Sequence, residues 1–134
     1  MPALTITTVT TVEANPRSLK VDAAVTALQP LYNDEATGNH NLCEANDTDK
    51  DAPVALSAMP AASGGKCIVL QNGDRVNLGA ILTKGVTYYM GRTAGTIVPF
   101  SDLATPDKVV PLIYAETTSI AVVQINLPPV DIIL

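Results

Sequence analysis

Tryptophan is absent from this chain, phenylalanine occurs once, at Phe100, and tyrosine four times. A core must therefore be built from Val, Ile, Leu and Ala, which carry nearly all of the 47% hydrophobic content. The aromatic platforms that usually line sugar clefts are in short supply. Histidine also occurs once, at His40, between two asparagines in a stretch that reads as a turn. A hydrolytic triad needs a base that orients a nucleophile, so a lone histidine in that setting argues against one. Charge is scarce as well: charged residues are 16% of the chain, against roughly 25% in ordinary soluble domains. The folded surface has few charges to keep it wet, and much of it is expected to be covered by partners. Net charge is −5, and the eight Lys and Arg are scattered singly from Arg17 to Lys108. Without a basic stripe to neutralise phosphates, no nucleic acid is expected as a partner. No stretch approaches the ~18 apolar residues of a bilayer span. Met1 to Ile6 lacks the basic and apolar segments of a signal peptide. These features predict a soluble chain made and used without export, with no membrane partner.

Further chemistry falls away motif by motif. Cys43 and Cys67 are too few for a disulfide framework in a chain long enough to bury its own core. They read as two reduced thiols, with a bridge between them as the alternative. Cys67 lies in an apolar run that would raise its pKa and leave it inert. Asp47, Asp49 and Asp51 alternate like the start of a calcium loop, but Ala52 stands where the turn glycine belongs and Ala58 where the closing glutamate belongs. A solvated acidic loop is the reading. Two distant cysteines and one histidine give no zinc ligand pair. Gly64-Gly65-Lys66 lacks the upstream glycine and the following Ser or Thr of a phosphate loop, and reads as a hairpin turn. Asp22, Asp74, Asp102 and Glu116 are the carboxylates that could meet in space, as glycoside chemistry would require. No cofactor is called for, and the chain reads as a non-enzyme.

What is present is β-forming sequence. Ala3 to Val12 is rich in Thr and Val and uncharged, a composition that favours extended chain. The segment reads as an arm or an edge strand; Leu4 and Ile6 share one face and Val9 the other, so it need not sit flat on its own core and could lie along a neighbouring subunit. After the break at Asn15-Pro16, Leu19 to Leu28 alternates at period two. A strand is the preferred reading, and a short helix over Asp22 to Leu28, stopped by Pro30, competes with it. Tyr32 to Pro53 is polar and turn-rich. Lys66 to Leu70 reads as a strand buried on both sides. Glycine and proline then punctuate the chain every six to twelve residues, isolating short strands at Val76 to Leu78, Val86 to Met90, Thr96 to Val98, Val109 to Ala115 and Ile120 to Ile125. Ten prolines weigh against helix interiors and central strand positions. The expected fold is all-β: one small β-barrel or β-sandwich, jelly-roll or β-tulip-like, spanning residues 19–134 behind an extended N-terminal arm of residues 1–18. The apolar C-terminus reads as docked, on this subunit or another.

A family pattern runs from Gln29 to Ile125: Gln29-Pro30-Leu31-Tyr32, Pro53 to Ala58, Ala61 to Gly65, Val76 to Leu82, Gly85 to Met90, Thr93 to Pro99, Ser101 to Leu103, and Ile113 to Thr118. It resembles the small β-rich capsid cement (decoration) proteins of tailed bacteriophages. Two departures are Tyr114, where a glycine is expected before the late turn, and Thr5 to Val12, which has no counterpart. The resemblance implies a structural virion protein on the outer surface of an icosahedral head, bound to the major capsid protein and to itself as a homotrimer. It would hold capsomers together against packaged DNA. Such a protein needs area and avidity rather than a nucleophile. The candidate contact residues are Leu4, Ile6, Val9 and Val12 in the arm and Val130, Ile132, Ile133 and Leu134 in the tail. The rival readings are a virion-displayed carbohydrate- or host-surface-binding module with a cleft near Tyr88 and Tyr89, and a small hydrolase using Asp74, Asp102 and Glu116.

Overall fold

The computed structural model describes residues 4–6, 9–13, 17–47, 49–105 and 107–125. Among the described residues eleven strands form two antiparallel sheets, with one three-residue 3-10 turn at Phe100–Asp102. The all-β expectation is met, as a β-sandwich. In chain order the strands are β1 (Thr10–Glu13), β2 (Arg17–Lys20), β3 (Pro30–Asp34), β4 (Asn39–Leu42), β5 (Pro53–Ser57) and β6 (Lys66–Leu70). They continue as β7 (Arg75–Asn77), β8 (Thr87–Met90), β9 (Ile97–Pro99), β10 (Pro111–Ala115) and β11 (Ile120–Val123). The six-stranded sheet runs β1-β7-β11-β10-β8-β9 and the five-stranded sheet β2-β6-β5-β3-β4. Each strand predicted after Leu70 is present, its ends moved by a residue or two.

Between the sheets lies the main core. The larger sheet contributes Val76, Tyr88, Met90, Leu112, Ile113 and Val123, and the smaller one Tyr32, Leu56 and Leu70. Consecutive Leu112 and Ile113 are both fully buried, and the β10–β8 register slips between Pro111 and Ile113. Such a bulge breaks strict alternation and turns neighbouring side chains inward. The smaller sheet has a second covered face, where Val21 and Val25 pack on Leu31, Ala55, Cys67 and Val69. The chain thus covers much of its own apolar strand surface.

That second layer corrects the reading of residues 19–28. The strand ends at Lys20, and beyond it only Val21 and Val25 make isolated bridges, to His40 and Ala61. No helix forms over residues 22–28. Asp22 bends the chain by accepting from Thr37, Asn39 and Asn41. Leu28 then turns it in the left-handed region, at φ 58, a conformation that costs a non-glycine residue about 1–2 kcal/mol. Burial of its side chain and the bond from its N–H to Ser57 O (2.7 Å) hold it there. Ser57, fully buried, locks the same corner: Oγ donates to Thr26 O (2.6 Å) and accepts from Gln29 N (2.8 Å).

Two further readings are corrected. His40 lies in β4, paired with Asn33 of β3, and not in a turn. The turn is Glu35 to Gly38, where Gly38 takes φ 75. Strand β6 is not buried on both sides: Cys67 and Val69 are covered by the second layer, whereas Lys66 is exposed and Ile68 is 38% exposed. Leu70 on the same face is buried, so β6 passes from the closed interior to an open edge of the sandwich.

The arm sets the shape of the larger sheet. Leu4 N donates to Ile97 O on β9, while Thr10 pairs with Asn77 on β7. In a flat sheet the five spacings from β1 to β9, at about 4.8 Å each, separate them by roughly 24 Å. The six-residue step from Leu4 to Thr10 spans at most ~21 Å. The sheet must therefore curl until its two edges approach, with Leu4 on β9 and Thr10–Glu13 on β7.

Candidate functional site

The sequence candidates fall in three places. Leu4, Ile6 and Val9 are half-buried against the chain's own main core. Val12 is on the surface, 55% exposed. Val130, Ile132, Ile133 and Leu134 lie outside the described residues.

Val12 is not isolated. With Val9, Thr10 and Thr11 it forms one wall of a groove of about 610 Å³ whose other wall is Ala58, Met59 and Ile68. The groove follows the open seam between β1, the edge of the larger sheet, and β6, next to the edge of the smaller one. Three of the five large exposed hydrophobics of the described residues, Val12, Met59 and Ile68, line it. Met59 and Ile68 were missed in the sequence. Met59 sits in a run of small residues, and Ile68 in an apolar run that mimics a doubly buried strand. On the face of β2 and β6 that carries Ile68, exposed Lys20 stands directly opposite exposed Lys66.

Strands β10 and β11 are apolar on both faces, and both faces are covered within the chain. Leu112, Ile113, Ala115, Ala121, Val122 and Val123 are all buried. Their apolarity is explained by this fold and does not itself mark an interface.

A second groove, of about 530 Å³, lies beside Tyr89 and is lined by Asn72, Thr87, Pro111, Gln124 and Ile125 among others. Tyr89 meets Phe100 edge-on, with ring centroids 5.6 Å apart. Tyr88 is buried, and its hydroxyl accepts from Thr83 N (2.9 Å).

Many ionisable groups in the described residues hold loops and turns. Asp22 is kept below the usual carboxylate range by the donors Thr37, Asn39 and Asn41. Arg75 does the same for Glu116 through a 2.7 Å bond. Asp74 accepts from Gln71 N in the β6–β7 turn. In the acidic loop, Asp47 accepts from Asp49 N, and Asp51 reaches Lys108 at 3.4 Å in a nearly buried pair. Lys50 is raised by its bond to Glu44. Fully buried Asp107 accepts from Arg92 Nε and Ala104 N, both at 3.0 Å. Among the described residues no three His, Cys, Asp or Glu gather as a metal site. Cys43 and Cys67 are free and buried in different clusters. Burial pushes both thiols up, Cys43 strongly, with Asp51 adding to it. This agrees with the reading of two reduced, unreactive thiols. His40 Nδ1 lies 3.4 Å from Lys20 O.

No protein-family model, curated protein or solved structure matches the chain.

Proposed function

We propose that this protein is a structural, non-catalytic β-sandwich of a phage virion, a cement protein. In this reading it binds the outer surface of the capsid and stabilises contacts between capsomers. Its partners are the major capsid protein and further copies of itself, as a homotrimer. The observation that carries the reading is the apolar seam of Val12, Met59 and Ile68, exposed on a chain only 16% charged. Exposed apolar surface concentrated in one groove is what association would bury. The resemblance over Gln29 to Ile125 supplies the kind of partner. Purified protein sedimenting as a trimer and rebinding heads stripped of it supports the reading; a monomer that leaves such heads bare refutes it.

A second reading, a virion-displayed module for carbohydrate or a host surface, is favoured by the groove beside Tyr89. It pairs an aromatic edge with the polar groups of Asn72, Thr87 and Gln124. Tyr89→Ala would abolish glycan binding in that reading and leave head binding unchanged in the first.

A further inference from the structure

Asn72-Gly73 is the chain's one Asn-Gly pair, and it occupies the turn between β6 and β7, with Gly73 at φ 93. Three hydrogen bonds tie it to the end of β11: Gly73 N to Val123 O (2.9 Å), Ile125 N to Asn72 Oδ1 (2.5 Å) and Asn72 Nδ2 to Ile125 O (3.0 Å). From this geometry we infer that Asn72 is a latent deamidation site, closed while residues 123–125 are docked on it and opened when they lift.

Asn-Gly pairs are reactive because glycine, having no side chain, lets its backbone nitrogen reach the preceding side-chain carbonyl. Gly73 N attacks Asn72 Cγ, a new N–Cγ bond forms, the Cγ–Nδ2 bond breaks, and Nδ2 leaves as ammonia. The proton given up by Gly73 N passes through solvent to the leaving nitrogen. Water then opens the cyclic imide to aspartate or isoaspartate. One water enters and one ammonia departs, with no oxidant or reductant.

The folded chain opposes each requirement. Gly73 N–H, which must lose its proton, is held by Val123 O. The Asn72 amide, which must swing toward Gly73 N, is pinned through both its oxygen and its nitrogen by Ile125. All three bonds come from one short stretch, residues 123–125, which is also held by Val123 N to Asp74 O (2.8 Å) and Gln124 N to Leu112 O (2.9 Å). A single opening therefore frees the pair. Conversion is one-way: a carboxylate at position 72 presents an acceptor to Ile125 O in place of a donor. It also adds negative charge to a turn already closed by the Asp74 carboxylate. Ile125, otherwise 5% exposed in the main core, loses its clasp.

The test is peptide mapping of the unaltered protein held in mildly alkaline buffer, folded and urea-unfolded in parallel. Conversion at Asn72 is expected to be roughly 30-fold slower or more in the folded protein, from the cost of an opening that breaks the three clasp bonds and the two that hold Val123 and Gln124. Ile125→Pro, which removes the N–H facing Oδ1, should speed conversion in the folded state. Converted protein, separated by anion exchange, should lose amide-exchange protection at Gly73 while β8 and β10 keep theirs. A folded rate within about threefold of the unfolded one overturns the inference, as does unchanged protection at Gly73. The folded-against-unfolded comparison uses the unaltered chain, so it decides the matter even where Ile125→Pro does not fold.

Discussion

Asp22 and Ser57 carry the corner that the period-two pattern concealed. Because Thr37, Asn39 and Asn41 donate to Asp22, its carboxyl has a lower pKa folded than unfolded. The sign follows: its contribution is complete above the ordinary aspartate range and is lost as pH falls through the folded value. Glu116 behaves likewise through Arg75. Acid titration followed by circular dichroism should show stability falling from the ordinary carboxylate range downward. Asp22→Asn should flatten that drop, and an unchanged acid limb would contradict the assignment. Ser57→Ala removes the acceptor of Gln29 N and the donor to Thr26 O inside a fully buried site. Urea unfolding should report a loss of about 1–3 kcal/mol, the usual cost of stranding a buried polar group. Cys67's inertness was legible from its apolar neighbours. The roles of Asp22 and Ser57 were not, since their partners lie 15 to 31 residues away.

Strands of three to five residues were readable where glycine and proline bracket them, which is why β7 to β11 match expectation closely. Burial on each face was less readable, because it depends on what lies across the sheet. The second layer of Val21 and Val25 covers one side of β6 and leaves Ile68 open on the other. The arm is the element whose place in the fold sequence alone left open. Residues 4–6 sit on the β9 edge, and β1 covers β7 and becomes the other edge itself, so the arm reaches both ends of one sheet. Unpaired edges invite pairing with other chains. Deleting residues 1–13 should lower stability by about 3 kcal/mol or more, from three half-buried apolar side chains and a strand's hydrogen bonds. It should also produce concentration-dependent association in sedimentation. A truncated protein with unchanged melting and mass would show that the edges need no guard.

At the scale of the molecule, two sheets, a curled edge and a covering layer bury most of the aliphatic side chains of the described residues. They leave an apolar seam lined by Val12, Met59 and Ile68. The all-β class was legible from proline, glycine and β-branched patterning. The seam was not, because it joins β1, residues 58–59 and β6 across more than 50 positions of chain. Function by surface burial stands or falls on that seam. The most direct measurement is cosedimentation with stripped phage heads, comparing the unaltered chain with a Val12→Asp, Met59→Asp, Ile68→Asp variant. All three positions are exposed, so the variant should melt within ~1 kcal/mol of the original. It should bind heads at least about tenfold more weakly, as expected when charge replaces an apolar contact centre. Equal binding by a folded variant, or no binding by the unaltered chain, would contradict the account.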